Sequence, residues 1–128
     1  MIGTSPNVLE MAVLREICKQ LPAQDRTALE EQMDGILVKR RKSTGAGFFT
    51  YFAVMSNAAH QIHVDTRGAY VTAKINGLDN ALGFILWLKD GYVDYLEGYP
   101  MALDHTQSMD FAAVEFELVS APGIIGQD

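Results

Sequence analysis

Glu97 sits where a carboxylate needs a reason. It lies in Tyr92-Val93-Asp94-Tyr95-Leu96-Glu97-Gly98-Tyr99, a run of strand-forming residues whose alternation sets Val93, Tyr95, Glu97 and Tyr99 on one face. The run before it, Phe84–Leu88, is apolar and holds the only tryptophan, Trp87, and the Asp90-Gly91 pair between the two is a strong hairpin signal. A two-residue loop sets the Glu97 face with Phe84, Leu86 and Leu88; a three-residue loop with Gly91 in a bulge sets it with Ile85 and Trp87. In both registers the carboxylate stands among aromatic and aliphatic side chains. A carboxyl group in such surroundings either holds its proton to higher pH or acquires a partner, and such groups concentrate at functional sites.

Three uses of Glu97 follow. Acid–base catalysis of a hydrolase-like kind needs a histidine or a second carboxylate within reach. Ligand binding needs an apolar cleft in which Glu97 and the tyrosines are the polar contacts. A structural bond to a tyrosine hydroxyl or an arginine needs neither, and it is the favoured reading. Trp87, Tyr92, Tyr95 and Tyr99 are candidates beside it, because Tyr and Trp line both pockets and protein interfaces.

A second chemistry-bearing stretch is Lys39-Arg40-Arg41-Lys42, followed by Ser43-Thr44-Gly45-Ala46-Gly47. These residues are anion-binding candidates, although no lysine follows the second glycine and no helix follows the loop, as a phosphate-binding loop requires. The alternative is a solvated strand end whose charges discourage edge-to-edge pairing. His60, His63 and Asp65 make at best a two-ligand metal fragment, since on a strand His60 points away from the other two. Asp104 and His105 would have to complete it, and no metal or other cofactor is expected. No nucleophile-elbow sequence is present. Cys18, the single cysteine, reads as a buried apolar residue and fits a reducing compartment.

The totals bound these readings. The chain has 128 residues, 48% hydrophobic and 20% charged, a balance that supports one domain with its own core. The net charge of −6 argues against nucleic acid as a partner. It is unevenly spread: the basic run carries +4, and the other six basic residues against sixteen acids leave −10 elsewhere. The N-terminus has no basic and apolar leader pattern, and the longest apolar run, about eight residues, is far short of the roughly 20 that cross a bilayer. A soluble cytoplasmic protein without membrane association is the expectation.

The elements that position these residues read in order. Ser5-Pro6-Asn7 starts a helix with Leu9, Val13, Ile17 and Leu21 inward and Glu10, Arg15, Glu16, Lys19 and Gln20 outward, ended by Pro22. A second helix starts at Asp25, faces Ala28, Leu29, Gln32 and Met33 inward, and stops at Asp34-Gly35. Extended segments follow: Ile36–Lys42, Phe48–Met55 (apolar on both faces, hence interior), an edge segment His60–Val64, Tyr70–Ile75, the two arms of the Asp90-Gly91 hairpin, and Phe111–Val119. Pro100–Ser108 is a connecting loop, and the tail beyond Pro122 is frayed. Helices followed by strands predict an α+β domain over 1–128, two N-terminal helices on a mainly antiparallel sheet of about five to seven strands.

The stretches Ser43-Thr44-Gly45-Ala46-Gly47-Phe48-Phe49-Thr50-Tyr51-Phe52 and Gly83-Phe84-Ile85-Leu86-Trp87-Leu88-Lys89-Asp90-Gly91, with Leu96-Glu97-Gly98-Tyr99-Pro100, resemble a family of small uncharacterised bacterial proteins. Its pattern is a TGxGFFTxF strand before a GFxLxxxDGxxxxLEGY hairpin. The resemblance implies a bacterial cytoplasmic setting and an α+β domain, and it assigns no activity, cofactor or site. The leading functional expectation is a non-enzymatic interaction protein, of the kind that neutralises a basic partner such as a toxin, because the charge outside the basic run is strongly acidic. A small-molecule binding domain and a Glu97 hydrolase are the alternatives, and a homodimer through an exposed strand is compatible with all three.

Overall fold

Asn7 begins the first helix by capping it. Its side chain accepts from the Glu10 backbone N–H, and the Glu10 carboxylate accepts from the Asn7 N–H, both at 2.8 Å. The computed structural model describes residues 3–101, 109–120 and 125. Helix α1 (Val8–Lys19) buries Leu9, Val13, Leu14 and Ile17, and helix α2 (Ala23–Met33) buries Ala28 and Leu29. Pro22 stands at the start of α2 rather than only ending α1, so the second helix begins two residues before Asp25. Gly35, at φ +69°, turns the chain out of α2.

Among the described residues six strands follow: β1 (Leu37–Ser43), β2 (Phe48–Ala53), β3 (Val71–Ile75), β4 (Leu82–Lys89), β5 (Tyr92–Pro100) and β6 (Phe116–Ser120). They form one antiparallel sheet in the order β1-β2-β5-β4-β3-β6, with β2 interior. Both helices lie on one face, where Val38, Phe48, Phe52, Phe84, Leu86 and Leu96 meet the apolar stripes of α1 and α2. The arrangement is α+β, two layers deep. No helix among the described residues is long and apolar enough to cross a membrane.

Several expectations need correction. His60–Val64 forms no strand; with the 3-10 turn Thr66–Gly68 it runs along β4, where Thr66 donates to the Leu86 carbonyl at 2.8 Å. The last strand begins at Phe116, not Phe111. Glu10 and Gln20, expected outward, are buried at 1% and 4% exposure. Residues 102–108, with Asp104 and His105, and nearly all of the C-terminal tail lie outside the described residues.

The largest correction concerns β5. The Asp90-Gly91 loop has two residues, both at positive φ (54° and 83°), and Lys89 pairs with Tyr92. Simple alternation would then put Tyr95, Glu97 and Tyr99 with Val93 against the core. Instead the register shifts, with Leu88 opposite Val93 and Trp87 opposite Tyr95, so Asp94 is the extra residue of a β-bulge. Val93 faces the core, and Tyr95, Glu97 and Tyr99 turn to the open face. Gln32, fully buried on α2, holds the bulge: its Oε1 accepts from Val93 N–H at 2.8 Å, and its Nε2 donates to the carbonyls of His60 and Gly91. A second bulge, at Lys39 in β1, turns Arg40 to the open face and Arg41 to the helices.

Candidate functional site

With both bulges in place, one row of paired residues crosses four strands on the face away from the helices. Arg40 of β1 pairs with Tyr51 of β2, Tyr51 with Tyr95 of β5, and Tyr95 with Trp87 of β4. The side chains stack along that row. The Arg40 guanidinium lies 4.1 Å from the Tyr51 ring centroid, Tyr51 and Tyr95 are 5.3 Å apart, and Tyr95 and Trp87 are 5.7 Å apart at 16°. Arg67, reaching in from the 3-10 turn, closes the far end 5.3 Å over Trp87. Phe49 adds an edge contact to Tyr95 at 5.9 Å.

The next row is Lys42, Phe49, Glu97 and Ile85. Here the Glu97 carboxylate accepts a 3.0 Å hydrogen bond from the Trp87 indole N–H. An indole N–H only donates, so this bond fixes the acceptor and the ring together without offering a route for proton transfer. Burial first, and then the Glu97 charge, raise the Tyr95 hydroxyl above its ordinary range. Tyr99 lies over Gly83: a Cβ there would stand 2.4 Å from the Tyr99 ring. On the core face, Gly98 makes the same room for Phe48, whose ring would meet a Cβ at 2.5 Å. The two motif stretches are thus packed together, each glycine accepting a ring.

The remaining candidates separate. Tyr92 lies near the hairpin tip beside Lys39, Lys89 and Asp94, around a shallow depression of about 410 Å³, and joins no ring contact among the described residues. The four basic residues do not act as one patch. Arg41 donates twice to Glu10, at 2.9 and 2.7 Å, and Thr50 adds a third bond at 2.6 Å. Burial pushes the Glu10 carboxyl up, but the bonds from Arg41, Thr50 and the Asn7 backbone outweigh it and hold it below the usual range. Sequence reading missed Glu10; the capping pattern Asn7-x-x-Glu10 was its one signal.

The histidine positions do not converge on a metal. His60 pairs with Glu31 at 2.9 Å, while Asp65 is held by Arg67, whose bonds bring its carboxyl down to about 2. Among the described residues no group of three His, Cys, Asp or Glu side chains could hold an ion. Cys18 is buried, and burial raises its thiol to about 11, which leaves it unreactive at neutral pH. Further hollows of about 310, 320 and 460 Å³ open beside Glu10, His60 and Arg67, and none of them is lined by Glu97.

Proposed function

We propose that the chain is a non-enzymatic protein-interaction domain whose binding surface is the open face of the sheet. Compared with protein families, curated proteins and solved structures, it matches none of them. The observation that carries this reading is the row Arg40–Tyr51–Tyr95–Trp87–Arg67, a continuous aromatic strip ended by two guanidinium groups. Tyr, Trp and Arg supply most hot-spot energy at interfaces, and rings already locked by stacking lose little entropy when covered. Among the described residues the Glu97 carboxylate is bonded to an indole rather than to a histidine or a second carboxylate.

The test is retention of a partner from source-cell lysate on the immobilised protein. Tyr51→Ala and Tyr95→Ala, each confirmed folded by circular dichroism, are expected to lose the partner. Arg15→Glu, on the exposed side of α1, is expected to keep it. Retention that all the variants share, or no retained protein at any salt concentration, would speak against the proposal.

A further inference from the structure

We infer that the open sheet face takes an acidic, extended polypeptide segment, its carboxylates bound by Arg40 and Lys42 beside the aromatic row. This rests on the interaction-face reading above and adds the chemistry of the partner.

Arg40 is the free member of three arginines. Arg41 spends its donors on Glu10, and Arg67 spends Nε and Nη2 on Asp65. Arg40 is exposed and has no hydrogen-bond or ion-pair partner among the described residues. Its Cζ lies 4.1 Å over the Tyr51 ring, a contact that uses none of its N–H donors as hydrogen bonds, and those donors suit a carboxylate. Lys42 lies two residues along on the same face, also exposed and unpaired among the described residues. That spacing, about 7 Å along a strand, matches alternate side chains of an extended segment.

The surrounding surface selects among partners. Arg40 and Lys42 stand on β1, two strands away from Asp94 and Glu97 on β5, so the β1 side of the face is locally basic although the chain carries −6. A basic partner is therefore poorly matched to this face. Stacked bases are poorly matched too. Tyr51 lies between Arg40 and Tyr95, Tyr95 between Tyr51 and Trp87, and Trp87 between Tyr95 and Arg67. Single-stranded nucleic acid binds by stacking on free ring faces, and each of these rings already has neighbours on both sides.

Trp87, the only tryptophan, reports occupancy by its fluorescence. The probes are a peptide with glutamate at alternate positions between tyrosines, the same peptide with lysine in place of glutamate, and an oligothymidylate. A saturable change with the glutamate peptide is expected, weakened by about tenfold or more in Arg40→Ala/Lys42→Ala and by added salt. An equal response to the lysine peptide, a stronger one to oligothymidylate, no response, or one indifferent to the double variant would overturn the inference. A natural partner that needs Tyr95 but survives Arg40→Ala/Lys42→Ala would overturn it while leaving the docking face intact.

Discussion

The Glu10 carboxylate and the Arg41 guanidinium form a two-bond bridge, at 2.7 and 2.9 Å, that ties the first turn of α1 to the most charged strand of the sheet. Glu10 is 1% exposed, so a partner-free carboxylate there would be a buried charge. Arg41→Met is expected to cost about 2–4 kcal/mol, the upper range being tempered by the partly exposed Arg41 side chain. Arg40→Ala, one residue away but turned to the open face, is expected to change stability by about 0.5 kcal/mol or less. Urea unfolding of the two variants measures the contrast, and equal losses would mean that the bulge does not divide the run.

The same bridge sets an acid limit. The folded Glu10 carboxyl titrates below its ordinary value of 4.5, so folding favours its ionised form. Its contribution is complete above about pH 4.5 and is lost as pH falls through the lower folded value. Wild-type stability should therefore fall as the pH drops below about 4.5, and Glu10→Gln should be less stable at pH 7 with a flatter profile on the acid side. Parallel curves for the two proteins would show that other groups govern the acid limit.

Gln32 bears on the open face although it lies in the core. Replacing it by leucine leaves the Val93 N–H and two carbonyls without their partner and removes the clamp on the Asp94 bulge. A loss of about 2–4 kcal/mol is expected. Hydrogen exchange should accelerate first at the Val93 amide, before the β2–β5 pairs. Unchanged protection there would show that the hairpin holds the bulge unaided.

Trp87 and Glu97 test whether the central carboxylate is structural. Glutamine keeps the acceptor, so Glu97→Gln should leave stability within about 0.5 kcal/mol and Trp87 emission nearly unchanged. Glu97→Leu strands the indole N–H and should cost about 1–2 kcal/mol with a clear emission shift. If the two variants shift emission equally, the bond is not what positions the ring.

Much of this fold was legible because it is locally encoded. Asn7 with Glu10, the Asp90-Gly91 turn, and the apolar run Phe48–Ala53 each announce an element from adjacent residues. The facing of β5 was not. Alternation from Val93 to Tyr99 is a sound rule only for an unbroken strand, and the break at Asp94 is held through Val93 by Gln32, 61 positions before it. Arg40 and Arg41 were likewise inseparable in a run of four cations, because Glu10 lies 31 positions before Arg41. Arg40, Trp87 and Tyr95 were therefore identified by type and Tyr51 and Arg67 were not, because the row that joins them depends on two bulges that side chains elsewhere in the chain support.

The glycines of the two motif stretches give the sharpest test of that assembly. A methyl group at Gly98 would meet the Phe48 ring at 2.5 Å, and rings can yield if the neighbour is shortened. Gly98→Ala is expected to cost about 1–3 kcal/mol by overpacking, and Phe48→Leu should recover part of that loss in the double variant. Gly47 differs in kind. Its φ is +118°, and a Cβ there would lie 2.1 Å from the Gly98 carbonyl oxygen, which is backbone and has nowhere to move. Gly47→Ala should therefore be the more damaging change, and Phe48→Leu should not relieve it. Additive behaviour of Gly98→Ala with Phe48→Leu, read from paired denaturation curves, would mean the ring does not pack on that glycine.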